Sequence, residues 1–158
     1  MSDGDDVLLV LFRVGGRWFA VDVFQVERIL AYEVPTPLPG APEFLDGVVP
    51  YGDGTVPVLD LRTRLEVEAP IREDTRVMVV NVDGARVGVV VDAVVEVLRV
   101  SAVDVRPPPD VVRGLAAQYI TGILSRPDRT VVVLAVGKLL SSAERVALDE
   151  LLVEASHE

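Results

Sequence analysis

The segment Val10-Leu-Phe-Arg-Val-Gly-Gly-Arg-Trp-Phe-Ala-Val-Asp-Val23 decides the fold class. Two β-prone runs flank Gly15-Gly16, and glycine supplies the positive φ angle that a tight two-residue turn requires. The same reasoning predicts three further hairpins: Val77–Val91 about Asp83-Gly84, Val48–Leu61 about Asp53-Gly54, and Ile120–Val136 about Pro127-Asp128-Arg129. Four hairpins in one short chain indicate a mainly β protein.

Composition and charge narrow the classes of function. The chain has 158 residues, with 15 basic and 25 acidic side chains and a formal net charge of −10. Nucleic acid and anionic membranes both require clustered lysine and arginine, so this acidity argues against either as a partner. The apolar runs are too short for a membrane span and the N-terminus is acidic where a secretory signal is basic. We therefore expect a cytoplasmic protein.

The order of the hairpins predicts an internal repeat. The aligned segments are Val14-Gly15-Gly16 with Val82-Asp83-Gly84, Val26, Ile29 and Leu30 with Val94, Val97 and Leu98, Phe44–Val49 with Tyr119–Leu124, and Val56–Leu61 with Val131–Val136. A chance likeness between valine-rich hairpins is the alternative. Because turns and glycines align as well as apolar positions, a true repeat is favoured. Residues 10–61 are then expected to superpose on 78–136.

The repeat divides a single domain, residues 1–158, into two expected β lobes at about 7–66 and 77–140. The proline-rich stretches Pro35–Pro39 and Arg106–Asp110 fall at equivalent places and are expected to be extended crossovers. Ser141 and Glu144 have capping-box spacing ahead of an apolar stripe at Leu148, Leu151, Leu152 and Ala155. We expect a C-terminal helix at about 142–155, and fraying at both termini.

Signals for enzyme chemistry are scarce. There is no cysteine, and the one histidine, His157, is next to the C-terminus, so neither a Ser-His-Asp triad nor a thiolate or two-histidine metal site can be assembled. Gly137-Lys138 fails as a phosphate loop because Val132 stands at the required glycine. The acidic run at Asp3 lacks the spacing of a calcium loop. We expect no metal, nucleotide or organic cofactor.

Carboxylates are the remaining candidates for catalysis: Asp22, Glu27, Asp46, Asp60, Asp92 and Glu96. A pair of them would permit acid–base hydrolysis. However, Asp22 and Asp92 end strands, where aspartate caps backbone N–H groups, and Asp60 precedes Arg62, a ready partner. Structural roles are favoured for these residues, and a small carboxylate-dependent hydrolase is kept only as a remote alternative.

An ordered series of motifs carries a specific resemblance. The series comprises residues 10–23, Val26-x-x-Ile29, Thr36–Val49, Val56-Pro-Val-Leu-Asp-Leu-Arg62, Val87–Leu98, Arg106-Pro-Pro-Pro, Tyr119–Leu124 and Lys138-Leu-Leu. Together these segments, over roughly residues 8–152, resemble the CheW family of chemotaxis coupling proteins. The resemblance implies two SH3-like five-stranded barrels that share a hydrophobic core.

The resemblance also implies a function and partners. Members of this family are non-catalytic bacterial adaptors that hold the cytoplasmic tip of a methyl-accepting chemoreceptor against the regulatory domain of a CheA-type histidine kinase. The chain would then be associated with membrane receptor arrays through these partners. A related scaffold for a non-motility pathway, or one binding a single partner, is the alternative.

The expected partner-binding residues are Val26, Arg28, Ile29, Gly47, Tyr51, Gly52, Asp53 and Val97. Two of them depart from the family pattern. Gly52 stands where the usual Asn-Leu-Arg-Gly has its arginine, and Arg28 replaces the acidic residue of Val-x-Glu-Ile, so the family's Glu–Arg pair is absent. Either the change is harmless drift, with Arg28 pairing with Asp53, or it marks a changed receptor or kinase.

Overall fold

The computed structural model describes residues 5–65, 67–68, 70–108 and 118–156. In these ranges the strands are β1 (Asp6–Val14), β2 (Arg17–Asp22), β3 (Val26–Ala31), β4 (Gly47–Tyr51), β5 (Gly54–Asp60), β6 (Arg76–Val82), β7 (Ala85–Val91), β8 (Ala93–Ser101), β9 (Val105–Arg106), β10 (Ile120–Ser125) and β11 (Thr130–Leu134). The helices are α1 (Leu61–Arg64) and α2 (Ser142–Ser156), and 3-10 turns occupy Val23–Gln25, Ala102–Asp104 and Val136–Lys138.

The strands form two sheets, which we call lobe A and lobe B. Lobe A has the order β8-β1-β2-β11-β10-β9, and lobe B has the order β3-β6-β7-β5-β4. The one parallel contact in each sheet joins β11 to β2 in lobe A and β5 to β7 in lobe B. The mainly β, two-lobed SH3-like architecture expected from the sequence is confirmed.

The strand order also confirms the repeat. When β1 to β5 are matched with β6, β7, β8, β10 and β11, the order of lobe B becomes the first five strands of lobe A. The sixth strand of lobe A, β9, pairs with β10, and the bridge between Thr36 and Val48 is its counterpart in lobe B. Lobe A thus has six strands where five were expected.

The lobes are not the two halves of the sequence, so the expected boundaries at 7–66 and 77–140 do not describe the sheets. Each sheet combines the leading hairpin of one half with the remaining strands of the other. The reason lies in β1 and β6, which are buried on both faces. A strand buried on both faces needs neighbouring strands within its sheet and a second layer packed against the sheet. The exchange of hairpins gives β1 and β6 both the neighbouring strands and the second layer.

Three apolar clusters fill the molecule. The central cluster lies between the sheets and includes Phe12 of β1, Leu59 of β5, Met78 of β6 and Leu148 of α2. Lobe A and lobe B each have an inner cluster, built around Leu11 and Val79 respectively. Neighbouring residues of β1 alternate between the central cluster and the lobe A cluster. The shared core implied by the resemblance is therefore present.

Local signals are realised with small shifts. In the β4–β5 hairpin, Tyr51 pairs with Gly54, so the turn residues are Gly52 and Asp53, one position earlier than expected. The capping box is formed, with Ser141 N donating to Glu144 Oε1 and Glu144 N donating to Ser141 Oγ. Asp3, Glu66, Asp110 and His157 lie outside the described residues, as do the side chains of Leu152 and Ala155.

Candidate partner-binding face

The two sheets end in edge strands that are equivalent in the repeat. Strand β3 is one edge of lobe B and β8 is the equivalent edge of lobe A, and among the described strands β3 pairs with β6 alone and β8 with β1 alone. No strand in the described part of the chain pairs with their outer sides, and such an open edge is a template for another chain. Four of the expected partner-binding residues lie on these strands: Val26, Arg28 and Ile29 on β3, and Val97 on β8.

Apolar side chains stand out on both edges. Ile29 on β3 is 42% exposed and Val97 on β8 is 57% exposed, and the two residues align in the repeat. Since they belong to different sheets, the structure presents two related apolar edges. Val26 is half-buried and packs against the central cluster. It therefore anchors the start of β3 to the core and exposes little surface to a partner.

Beside Ile29, a charged cluster spans three strands of lobe B. The Tyr51 hydroxyl donates to Glu27 Oε2, and Arg86 Nε donates to Glu27 Oε1 at 3.0 Å. The guanidinium groups of Arg28 and Arg86 each lie 5.9 Å from the centre of the Tyr51 ring, within the range of cation–π attraction. Glu27, Arg28, Tyr51 and Arg86 will be called the Tyr51 cluster.

The hydrogen bonds of this cluster shift two pKa values in opposite directions. The donation from Tyr51, followed by that from Arg86, lowers the pKa of Glu27, because both bonds favour the carboxylate. The same bond to Glu27 raises the pKa of Tyr51, since the phenolate would lose a hydrogen bond and face a negative charge. Both side chains therefore keep their ordinary charge states at neutral pH.

The Tyr51 cluster borders a depression of about 410 Å³ that also contains the β4–β5 turn, with Gly52, Asp53, Gly54 and Thr55. Four expected site residues, Arg28, Tyr51, Gly52 and Asp53, are thus brought together. The expected pair between Arg28 and Asp53 is not found among the ion pairs of the described residues. Arg28 lies over the Tyr51 ring instead, and Arg86 is the ion-pair partner of Glu27.

Gly47 has a backbone role under this face. It is buried with φ near 150°, and a Cβ atom at this position would lie 2.3 Å from the carbonyl oxygen of Thr36. Such an approach is possible only for glycine. Gly47 therefore allows the start of β4 to pack closely against the backbone of Thr36, in the crossover Pro35–Pro39. It offers no side chain to a partner.

Five of the six carboxylates considered for catalysis have structural partners, and for Glu27 these are the other residues of the Tyr51 cluster. Asp22 accepts from Phe24 N at 2.9 Å, as expected of a strand-ending cap. Asp60 caps α1 through Arg62 N and forms a salt bridge with Arg62 at 2.6 Å, also as expected. Asp92 accepts from Gly15 N at 2.7 Å and so caps the leading turn of the other half.

Glu96 and Asp46 are the remaining two carboxylates. Glu96 bonds to Arg129, whose guanidinium lies 4.4 Å from the centre of the Trp18 ring. Burial, and then the charge of Asp60, raises the pKa of Asp46. Within the described residues no group of three or more His, Cys, Asp and Glu side chains is arranged to hold a metal ion.

Sequence reasoning missed the part played by Arg86. Arg86 aligns in the repeat with Trp18 of β2, whose ring faces the guanidinium of Arg129 in lobe A. Both lobes thus combine an aromatic ring, a guanidinium and a carboxylate at one end. The residues that do so are different, and for that reason side-by-side reading of the halves did not reveal the correspondence.

Comparison with known proteins identifies the family of this chain. The model of the CheW-like domain matches residues 8–144. The chain belongs to the CheW family. It is 33% identical over 141 residues to "Chemotaxis protein CheW" of Klebsiella aerogenes, covering 89% of this chain and 85% of that protein. It is 36% identical over 141 residues to "Protein FrzA" of Myxococcus xanthus, covering 87% of each.

A solved CheW structure has the same fold. The crystal structure of the scaffolding protein TtCheW from Thermoanaerobacter tengcongensis superposes with a TM-score of 0.78 at 26% identity, covering 85% of this chain and 92% of that chain. All eight expected site residues fall within the CheW-like domain match. No helix in the described ranges is long and apolar enough to cross a membrane.

Proposed function

We propose that the protein is a non-catalytic adaptor of bacterial chemosensory signalling, which couples the cytoplasmic tip of a methyl-accepting chemoreceptor to the regulatory domain of a CheA-type histidine kinase. It acts in the cytoplasm and joins membrane receptor arrays through these partners. The partner-binding residues are those of the two edge strands and of the Tyr51 cluster with its adjoining turn.

The observation that carries this proposal is the pair of equivalent edges. An adaptor must engage two partners at once, and the internal repeat gives one molecule the equivalent edge strands β3 and β8, with the exposed apolar residues Ile29 and Val97 respectively. An extended segment or another β domain binds such an edge through its backbone and is selected by the neighbouring side chains. On lobe B the selecting side chains are those of the Tyr51 cluster.

The non-catalytic part of the proposal is supported by the carboxylates. Asp22, Asp60, Asp92 and Glu96 each hold a backbone amide or a guanidinium. An acid–base pair needs one carboxyl group free to exchange protons with substrate. The remote hydrolase alternative therefore predicts turnover that Asp60→Asn abolishes, whereas the adaptor predicts binding without turnover.

The test is a three-component binding measurement. The full chain is mixed with a CheA-type regulatory-domain fragment and a chemoreceptor cytoplasmic fragment, and the complexes are followed by analytical ultracentrifugation. An adaptor gives two binary complexes and one ternary complex. If either partner displaces the other or neither binds, coupling of these two partners is wrong.

One observation favours a second candidate, a divergent CheW-like scaffold that serves another pathway or binds a single partner. Arg28 and Gly52 depart from the family pattern, and both border the same depression. A binary complex with only one of the two fragments would support this candidate over the first.

A further inference from the structure

A second depression lies in lobe A, at the end where β1 begins and β2 and β11 end. It has a volume of about 490 Å³. Its walls are mostly apolar, from residues such as Val7, Leu9, Val105 and Val133, and its charged lining residue among those described is Asp22. We call it the Asp22 cleft. None of its described lining residues belongs to β3, β8 or the Tyr51 cluster.

The repeat shows what fills the equivalent place in lobe B. The gapless match between Val56–Leu61 and Val131–Val136 continues to align Asp60 with Ala135 and Arg62 with Gly137. In lobe B, Asp60 and Arg62 form a salt bridge at 2.6 Å, and Arg62 is 8% exposed. In lobe A the equivalent Ala135 and Gly137 line the cleft. At these two aligned positions lobe A thus has neither the carboxylate nor the arginine that lobe B has.

Asp22 supplies a negative charge to this space. Its Oδ1 accepts from Phe24 N at 2.9 Å, and no salt bridge to Asp22 occurs in the part of the chain that the structure describes. The chain as a whole carries a formal charge of −10. A carboxylate on apolar walls attracts a cation with an aliphatic stem and disfavours a phosphate or another carboxylate.

Two exposed apolar residues belong to the turns that form the rim. Phe24 is 85% exposed and precedes the lining residue Gln25, while Val103 is 77% exposed and follows the lining residue Ala102. Large apolar side chains in these positions are typical of a contact surface for a partner. The rim and the cleft together suit a side chain that enters from a protein surface.

We propose that the Asp22 cleft receives an arginine side chain of a partner protein, whose guanidinium pairs with Asp22 while its aliphatic stem lies against the apolar walls. The inferred arginine takes in lobe A the place that Arg62 takes in lobe B. Arginine fits because its planar donors bind a carboxylate in two places and its charge is weakly hydrated. This inference rests on the proposed adaptor function, since it supplies a third contact with one of the partners.

The cleft itself can be tested without any partner. The full chain, labelled in its valine and leucine methyl groups, is titrated at neutral pH with n-butylguanidinium chloride, and separately with 1-pentanol as an uncharged probe of similar length. We expect saturable shifts confined to the methyl signals of Val7, Leu9, Val105 and Val133. Butylguanidinium is expected to bind about fivefold to tenfold more tightly than pentanol, the range expected when a charge-assisted hydrogen bond is added.

Two variants assign the effect. Asp22→Asn keeps the acceptor for Phe24 N and should remove the preference for butylguanidinium, whereas Asp104→Asn, an exposed carboxylate of the neighbouring turn, should leave the preference unchanged. Ala135→Leu fills the cleft and should abolish binding of both probes. If Ala135→Leu does not fold, the loss or retention of the butylguanidinium preference in Asp22→Asn still tests the inference.

Three results overturn the inference: equal binding of the two probes, an equal loss in Asp104→Asn and Asp22→Asn, or shifts centred on the Tyr51 cluster. Self-association that protects the cleft, seen by ultracentrifugation, would assign it to a second copy of the chain and overturn it as well. None of these results involves kinase or receptor, so they leave the adaptor function standing. Failure of the three-component assay would in turn leave the cleft's cation preference standing.

Discussion

Gly47 and Gly122 are equivalent residues of the repeat, and each lies in close contact with the segment that crosses its sheet, at Thr36 for Gly47 and at Arg106 for Gly122. A Cβ atom on Gly47 would lie 2.3 Å from the carbonyl oxygen of Thr36, and one on Gly122 would lie 2.7 Å from Val105 Cγ1 and 2.9 Å from the carbonyl oxygen of Arg106. Real Cβ atoms do not approach backbone oxygens so closely. The same steric requirement thus appears once in each lobe.

Alanine at these glycines should destabilise the fold unequally. Gly47→Ala combines a backbone clash with φ near 150°, where a side chain is strained, and should cost at least about 2 kcal/mol of unfolding free energy. Gly122→Ala should cost less, because part of the clash is with a valine methyl group that can move. Urea unfolding followed by circular dichroism measures both values.

Gly54→Ala is the matched control. Gly54 lies in the β4–β5 hairpin, its Cβ would meet nothing within 4 Å and its φ lies outside the left-handed region. We expect a change within about 0.5 kcal/mol. A cost for Gly54→Ala equal to that for Gly47→Ala would show that general loss of glycine flexibility, and not the close approach, is responsible.

The exchange of hairpins predicts that the halves cannot fold separately. Each sheet takes two strands from one half and the rest from the other. A fragment of residues 1–70 therefore lacks β8 and β11, which flank the β1–β2 hairpin, and a fragment of residues 71–158 lacks β3 and β5, which flank the β6–β7 hairpin. We expect each fragment to be unfolded by circular dichroism, and the full chain to unfold in one calorimetric transition. A folded fragment, or two separate transitions for the full chain, would contradict this prediction.

The sequence was sufficient for the strands and the repeat, but not for the assignment of strands to sheets. Hairpins depend on neighbours in the chain and on turn residues such as Gly15 and Asp83, which are visible locally. The exchange depends on which sheet a doubly buried strand joins, and β1 looks the same in either. That choice is decided by packing between distant residues.

The same distinction applies to the candidate site. Arg28, Tyr51, Gly52 and Asp53 were found because they stand at positions that the family resemblance marks. The ion pair of Glu27 with Arg86 joins residues on β3 and β7, which are separated in lobe B by β6. Sequence spacing carries no information about such a contact, since it crosses a strand of the sheet.

The hydrogen bond from Tyr51 predicts a specific titration. Tyr51→Phe should raise the pKa of Glu27 towards its ordinary value without restoring it fully, because Arg86 still donates to the carboxylate. Carboxyl-carbon NMR against pH measures this change. Tyr32→Phe is the control and should leave the Glu27 titration unchanged.

The sign of the pH effect follows from that pKa. A carboxylate whose pKa is lower in the folded state stabilises the fold above its unfolded pKa, and this contribution is lost as the pH falls through the folded value. In Tyr51→Phe this contribution should be smaller, and its loss should be complete at higher pH than in the wild type, because the folded pKa lies nearer the unfolded one. An identical acid limb in the two unfolding profiles, together with an unmoved Glu27 titration, would mean that the bond is not formed in solution.

The exposed apolar edges predict where partner binding is concentrated. Val97→Asp should weaken binding of at least one partner fragment by about 2 kcal/mol or more, and more than Val97→Ala, because a charge in a desolvated contact costs more than a lost methyl group. Ile29→Asp should act similarly through lobe B. Isothermal titration calorimetry with the two fragments measures the losses.

Val146→Asp is the control for the edge variants. Val146 is 56% exposed, close to the value for Val97, but it lies on α2. We expect normal binding and normal thermal unfolding. If the Val97 and Ile29 variants remain folded and bind both fragments as the wild type does, the edges are not the docking surfaces.

Gly52→Arg tests whether the departure from the family pattern sets partner choice. Gly52 has φ near +60° and open space around its Cα, so arginine fits but strains the backbone by about 1–2 kcal/mol. Gly52→Ala carries the same strain without the charge and is the matched control.

The new guanidinium of Gly52→Arg would stand beside Arg28 and Arg86 in one depression. We expect it to weaken binding to the protein's own partner and to strengthen binding to a conventional kinase–receptor pair, while Gly52→Ala changes neither by more than about 0.5 kcal/mol. Calorimetry with both partner sets decides, and affinities that stay equal for arginine and alanine would identify Gly52 as harmless drift.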